Sequence, residues 1–182
     1  MSDLPEKYSR EKITVSVLKA NLYAVILILP ILVLYFFPYY LIWGSFQPIE
    51  IDGVLTIIMI IAGIVIHELL HGLSWALFAK NKFKSIKFGI IWKFLTPYCH
   101  CKDPLTVKHY IIGTITPFIV LGLIPVIFAI FINSTFLLSF GAFFTIAAGG
   151  DIYMAYLLRN ENKDSIIQDH PSEVGCYIYR TD

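Results

Sequence analysis

Residues 66–72, IHELLHG, place two histidines and a glutamate at a spacing that can support metal-assisted hydrolysis. On an α-helix, His67 and His71 lie one turn apart on the same face, so both imidazoles can bind a single metal ion. Glu68 lies beside them, where its carboxylate can act on a water molecule without being a ligand itself. This H-E-x-x-H arrangement is typical of zinc hydrolases. The alternatives are polar groups that pack helices together, or ligands for a haem or a transported ion.

The motif lies in a strongly apolar chain. Of its 182 residues, 57% are hydrophobic and 15% are charged, and the mean hydropathy is +0.72. Soluble domains do not have this composition. A soluble helix bundle would also need polar outward faces, which the apolar segments lack. The sequence therefore predicts an all-α polytopic membrane protein with about four transmembrane helices, each long enough to cross a hydrocarbon core of about 30 Å. The expected spans are residues 20–43, 54–79, 111–132 and 136–158.

The positive charges predict how the chain is oriented. Of the 14 Lys and Arg residues, four precede the first span, seven lie between the second and third spans, and three follow the fourth. Because Lys and Arg accumulate on the cytoplasmic side, we expect a multi-pass protein of a cell membrane with both termini in the cytoplasm. It would have an N-terminal segment (1–19), a four-span membrane domain (20–158) and a C-terminal tail (159–182).

The same charge distribution limits the partners. Membrane topology and the lipid bilayer explain the Lys cluster sufficiently, so no nucleic-acid partner is expected. Cys99, Cys101 and Cys176 all fall on the predicted cytoplasmic side. Thiols stay reduced there, so a disulfide framework is not expected.

A catalytic zinc ion needs a third protein ligand, and Asp151 is the candidate. Outside the HELLHG motif it is the only Asp, Glu, His, Lys or Arg in the predicted spans, and such residues are costly enough in hydrocarbon to indicate a function. Counting back from the cytoplasmic ends of their spans, His71 and Asp151 both lie about 10 to 12 Å below the interface. Asp151 could instead relay protons or cap a helix, and His170 or Glu173 of the tail could fold back to supply the third ligand.

The motif and the distant aspartate resemble the site-2 protease group of intramembrane metalloproteases. The whole layout resembles a family of small bacterial membrane zincins, through "HELLHG", "CHCKDPL", "GGD" and "DHPSEVG" in chain order over residues 53–179. The resemblance implies that His67, His71 and Asp151 are zinc ligands and that Glu68 is the catalytic carboxylate. One departure is that site-2 proteases usually set the aspartate in Asn-Pro-Asp-Gly or Leu-Asp-Gly, whereas this chain has Gly-Gly-Asp-Ile.

Motif and resemblance together predict a zinc-dependent metalloprotease. It would use a metal-activated water to hydrolyse peptide bonds within or beside the bilayer, with a membrane protein or peptide as substrate. The alternatives are a non-enzymatic membrane protein that binds a metal for transport or sensing, and a degenerate zincin that binds without cleaving. Glu68 favours the enzyme, because a carrier has little need of a carboxylate between two histidine ligands.

The loop between the second and third spans contains an alternating pattern. It predicts a half-buried strand at the membrane surface, which could hold an extended substrate by strand addition or could simply cover the interface. No individual substrate-binding residue is predicted. The apolar positions are Ile86, Phe88, Ile90, Trp92 and Phe94.

The same loop contains Cys99-His100-Cys101, which invites a second metal site. Three potential ligands within three residues cannot easily surround one tetrahedral ion. The favoured interpretation is a loop that leads into the third span.

Overall fold

The chain is a bundle of helices with two small sheets at one end. The computed structural model describes residues 8–14, 17–49, 52–92, 96–169 and 175–181. The helices are α1 (Val17–Trp43), α2 (Gly53–Phe78), α3 (Val107–Pro117), α4 (Ile124–Ile132), α5 (Thr135–Ala147) and α6 (Gly149–Leu158). A π-helical turn joins α3 to α4, and a 3₁₀ turn follows α2.

Three helical stretches are long and apolar enough to cross a membrane, namely Lys19–Trp43, Gly53–Phe78 and Val107–Ile132. Their outward faces are apolar: Leu34 is 68% exposed and Leu77 is 75% exposed. A soluble bundle would carry polar side chains at such positions. The third stretch begins at residue 107 rather than 111, because a threonine at 106 caps the helix and accepts a hydrogen bond from a backbone N–H of its first turn.

The fourth expected span, residues 136–158, is bent. Helices α5 and α6 meet at an angle of 55°, so they form either one broken span or a re-entrant pair. Ala148 between them has a ψ of 11°, away from the helical value. Gly149 packs so closely on α1 that an added Cβ would lie 2.6 Å from the Cδ1 atom of Ile28. The bend places Asp151 in the first turn of α6.

Both sheets lie at the same end of the bundle, which we call the sheet end. A two-stranded hairpin, β2 (Ile86–Ile91) and β3 (Thr96–Cys101), follows α2. The predicted strand in this loop is thus present in part: β2 ends at Ile91, Trp92 lies in the turn that follows it, and Phe94 lies outside the described residues. The other strands are β1 (Tyr8–Thr14), β4 (Leu105–Thr106), β5 (Ile166–Asp169) and β6 (Gly175–Thr181). They form a four-stranded antiparallel sheet in the order β1-β6-β5-β4, which brings β1 and β6 from opposite ends of the chain together and which the sequence did not predict.

An apolar core attaches the four-stranded sheet to the helices. Each large side chain that it removes from solvent contributes about 1.5–3 kcal/mol. The core extends from α2 and α3 into the sheet, so it fixes the sheet beside the C-terminal half of α2. Its buried members are Trp75, Ala79, Cys101, Leu105, Val107, Tyr110, Met154, Leu158, Ile167, Cys176 and Ile178.

Candidate metal centre

Three side chains from two helices converge in the half of the bundle nearer the sheet end. The Nε2 atoms of His67 and His71, both on α2, are 3.2 Å apart. Asp151 of α6 approaches both rings, with Oδ2 at 3.1 Å from Nε2 of His67 and Oδ1 at 3.4 Å from Nε2 of His71. Within the part of the chain that the structure describes, this is the only group of three His, Cys, Asp or Glu side chains whose ligand atoms could hold one metal ion.

The donor set fits a zinc ion. Two nitrogen atoms that each lie about 2.0–2.1 Å from a tetrahedral zinc are about 3.3 Å apart. The two imidazoles and the carboxylate form a triangle with both carboxylate oxygens at one corner: Nε2 of His67 is 3.1 Å from Oδ2, Nε2 of His71 is 3.4 Å from Oδ1, and the two nitrogens are 3.2 Å apart. One ligand atom from each residue lies within 4.8 Å of the other two. Two imidazoles and one carboxylate are also the kind of donor set that catalytic zinc sites use while keeping a fourth position open.

The ring of His71 is held from behind by α3. Its Nδ1–H donates a hydrogen bond of 2.9 Å to the carbonyl of Gly113. This bond places the proton on Nδ1, so in the neutral ring the lone pair of Nε2 points towards His67 and Asp151. A ligand histidine oriented through its other nitrogen in this way is a common feature of metal sites. The structure therefore presents His71 in the tautomer that a metal ion requires.

An aromatic stack supports the same ring. The indole of Trp75 stacks against His71, with ring centres 5.2 Å apart, and Tyr110 also stacks against the indole, at 5.4 Å. The indole N–H donates to the carbonyl of Tyr110 at 3.1 Å. A Cβ added at Gly113 would lie 2.1 Å from the indole, so only glycine allows α2 and α3 to approach this closely. His71 is thus fixed by packing as well as by its hydrogen bond.

Glu68 is half-buried beside the triangle. Its carboxylate is close enough to His67, His71 and Asp151 to interact with all three electrostatically, and it accepts a hydrogen bond from the backbone N–H of Cys99 on β3. The hairpin therefore reaches the motif and fixes the direction of the glutamate. This position suits a proton acceptor that acts on a bound water without being a ligand.

The hairpin packs tightly on α2 at the motif. An added Cβ at Gly72 would lie 2.5 Å from the ring of Phe88. The strand that contacts Glu68 is β3, whereas β2 lies on the far side of the hairpin. On the outer edge of β3, Pro97 has no N–H and the N–H of Cys99 is already used. An added substrate strand would therefore find more free hydrogen-bonding groups along β2 than along β3. Strand addition itself stays a prediction.

The described residues account for most of the sequence expectations around the site. His67, Glu68, His71 and Asp151 lie together, whereas the alternative third ligands of the tail lie in residues 170–174, outside the described residues. Three features that support the site were not foreseen: the carbonyl of residue 113, the aromatic stack, and the amide of residue 99. The first two depend on contacts between helices distant in sequence, and the third depends on β3, which carries no alternating pattern.

The other potential ligands lie away from the triangle. His100 points towards Asp169 of β5, with Nδ1 at 3.4 Å from Oδ2. Burial raises the pKa of the Cys101 thiol to about 12, which opposes the thiolate form that binds metals. The Cys99-His100-Cys101 segment is therefore a structural strand, and the described residues include no second metal group there.

Apolar helices of membrane-spanning length and a buried His-His-Asp group beside a glutamate define the class of membrane zincins. Comparison with protein families agrees. A family model with the description "Putative zincin peptidase" matches residues 60–166, and the chain belongs to this family. The matched range includes the HELLHG motif, the hairpin and Asp151. No significant match was found among curated proteins or among solved structures.

Proposed function

We propose that this chain is a membrane-embedded zinc metalloprotease, similar to site-2 proteases, that hydrolyses peptide bonds within or beside the bilayer. One observation carries the proposal: the ligand atoms of His67, His71 and Asp151 lie within 4.8 Å of one another, close enough to hold one ion, and Glu68 lies next to them with its own hydrogen-bond donor. A site that only stored or carried a metal would not need this oriented carboxylate. The substrate class is a membrane protein or peptide.

The protein residues divide the chemistry between them. His67, His71 and Asp151 would hold the ion, which supplies Lewis acidity: it lowers the pKa of a coordinated water towards about 7 and polarises a carbonyl oxygen. Glu68 accepts a proton from the attacking water at its carboxylate and then donates it to the departing amine nitrogen. The amide of Cys99 orients that carboxylate towards the reacting atoms.

The fold also supports the expected orientation. Strands β1 and β6 pair along their whole length, so the two ends of the chain lie on the same side of the bundle. The hairpin that follows α2 lies at this same end. These are the segments that carry the Lys and Arg residues, so we assign the sheet end to the cytoplasm. The metal centre then lies in the cytoplasmic half of the bilayer.

The decisive experiment uses Glu68→Gln. Purified protein in lipid nanodiscs is loaded with zinc and incubated with a panel of quenched-fluorescent transmembrane peptides, with casein as a soluble comparison. We expect the native chain to cleave at least one transmembrane peptide, and Glu68→Gln to lower that rate at least about 100-fold because the proton acceptor is lost. Zinc content should stay near that of the native chain.

The matched control is Glu161→Gln, which changes the same residue type at the sheet end, where Glu161 pairs with Arg180. It should cleave at nearly the native rate. Equal cleavage by the native chain and Glu68→Gln would overturn the proposal. Tight zinc binding without cleavage of any peptide would also count against it, in favour of a metal-binding role in transport or sensing.

A further inference from the structure

A buried carboxylate outside the metal centre joins three parts of the fold. Asp169, the last residue of β5, has a side chain that is only 11% exposed. Its Oδ1 atom accepts a hydrogen bond of 2.6 Å from the hydroxyl of Tyr110 on α3. Its Oδ2 atom accepts one of 3.0 Å from the backbone N–H of Cys101 on β3 and lies 3.4 Å from Nδ1 of His100. The tail thus contributes one charged acceptor to a helix and to the hairpin at once.

The Oδ2 atom acts on the strand that holds Glu68. Successive amides of a strand point to opposite edges. Because Lys102 donates to Ser85 across the hairpin at 2.8 Å, the amides of Cys101 and Cys99 point away from β2. The two outward amides are two residues apart on the strand and have different acceptors. The N–H of Cys101 donates to Asp169, and the N–H of Cys99 donates to Glu68. Fixing the first therefore fixes the position of the second.

The Oδ1 atom acts on the other side of the site. It accepts a hydrogen bond from the hydroxyl of Tyr110. The ring of Tyr110 is the outer ring of the stack that continues through Trp75 to His71. One carboxylate is therefore bonded both to the strand behind Glu68 and to the stack behind His71. Bonds to an ionised acceptor are roughly twice as strong as neutral ones, and a buried partner without its bond is costly.

We propose that Asp169 is a positioning residue for the metal centre: through β3 it holds the Cys99 amide against Glu68, and through Tyr110 it supports the ring stack behind His71. This inference rests on the proposed function for its effect on catalysis, but not for its structural part. It gives the C-terminal tail a role in peptide hydrolysis without contact with substrate or metal.

The test is Asp169→Asn, which keeps the shape of the side chain. An NH₂ group that faces the N–H of Cys101 breaks that bond, whereas one that faces the Tyr110 hydroxyl turns that bond round and leaves only neutral hydrogen bonds, so each connection is either lost or weakened. We expect backbone amides in residues 96–101 to exchange hydrogen at least about tenfold faster, measured by mass spectrometry on the full chain in nanodiscs. With a cleaved transmembrane peptide, kcat per bound zinc should fall about tenfold, while KM stays within about twofold. Zinc content should not change.

Asp164→Asn is the matched control, since it changes an exposed aspartate of the same tail, and it should alter neither measurement. If Asp169→Asn does not fold, Tyr110→Phe keeps the aromatic stack and removes only one donor. It should lower kcat about threefold at unchanged KM.

Unchanged hydrogen exchange and unchanged kcat in Asp169→Asn would overturn the inference, as would unchanged kcat in Tyr110→Phe if only that variant folds. A loss that follows zinc content, or appears only as less folded protein, would show a merely structural role and would overturn it too. If the native chain cleaves nothing, the proposed function fails, yet hydrogen exchange still reports whether Asp169 holds β3. The two failures are therefore distinguishable.

Discussion

The metal centre and the sheet end are held together by different kinds of contact. At the centre, polar side chains from α2 and α6 meet inside an apolar bundle, and each is satisfied by a specific partner such as the carbonyl of Gly113. At the sheet end, apolar side chains pack beneath strands from the two ends of the chain. The centre therefore depends on a few exact distances, whereas the sheet end depends mainly on summed burial, with Asp169 as its polar connection to the site. Substitutions at the two places should fail in different ways.

The largest difference is expected from removing a histidine. His71→Ala deletes one of the three ligand atoms, so zinc affinity should fall at least about 100-fold, more than the 10–100-fold typical of losing a residue that only supports a ligand. Bound zinc should drop from one ion per chain towards none. The native chain should melt at a higher temperature with zinc than without it, and this shift should vanish in the variant. Elemental analysis and thermal melting measure both effects.

His109→Ala is the comparison at the sheet end. That histidine stacks on Phe78, with ring centres 4.1 Å apart. The variant should melt at a somewhat lower temperature, but it should keep its bound zinc and the rise in melting temperature that zinc produces. Equal loss of zinc in the two variants would mean that the centre is not built around His71.

The same contrast explains what the sequence could predict. The spacing of His67 and His71 is local, so it gives their common face directly. Asp151 could be matched to them by depth, because length and apolar composition fix where each span ends. The structure brings the three together, although their role as ligands remains a proposal. The bend at Ala148 was not predicted, because the hydropathy of residues 136–158 is that of an uninterrupted apolar segment.

The sheet end was less predictable for a physical reason. Strand β1 pairs with β6 across nearly the whole chain, from Tyr8 opposite Thr181 to Thr14 opposite Gly175. Strands β4 and β5 have only two and four residues, too few for periodicity to distinguish them from a loop. Asp169 lies in the conspicuous DHPSEVG segment, but its partners on β3 and α3 follow only from the tertiary structure.

The closest helix contact should be the next most sensitive feature. In Gly113→Ala the new methyl group would meet the indole of Trp75. The indole stacks on two rings and donates a hydrogen bond to the carbonyl of Tyr110, so the indole cannot move aside easily. We expect a loss of about 1–3 kcal/mol in stability, the usual cost of overpacking. Because the same residue supplies the carbonyl that orients His71, zinc affinity should also fall about tenfold. Thermal melting and zinc titration in nanodiscs measure the two effects.

Gly53→Ala is the control, since a Cβ there would meet no atom within 4 Å. It should leave both quantities close to native. If Gly113→Ala also left stability and zinc affinity unchanged, the tight approach of α2 and α3 would not be needed to fix the position of His71.

The last difference should appear at the sheet end and only at high pH, so it is absent under ordinary assay conditions. Burial raises the pKa of Cys101 and of Cys176 from 9.0 to about 12. In the unfolded chain these thiols lose their protons near pH 9, whereas the folded chain keeps them until about pH 12. Folding stability should therefore fall as pH rises from about 9 towards about 12, by at most about 1.4 kcal/mol per pH unit for each thiol. The stabilising contribution is fully present below pH 9.

Thermal melting at pH 8 to 11 checks this against Cys101→Ala/Cys176→Ala. The decline with pH should be shallower in this variant, because Lys, Tyr and Cys99 are present in both proteins whereas the thiols of Cys101 and Cys176 are absent from the variant. The double variant should also start from a lower stability, since each deleted Sγ leaves space in a packed core. An equally steep decline of the melting temperature with pH in the native chain and in the double variant would contradict the prediction. It would imply that the thiols gain solvent before the sheet unfolds, so that the sheet end opens locally while the helices stay together.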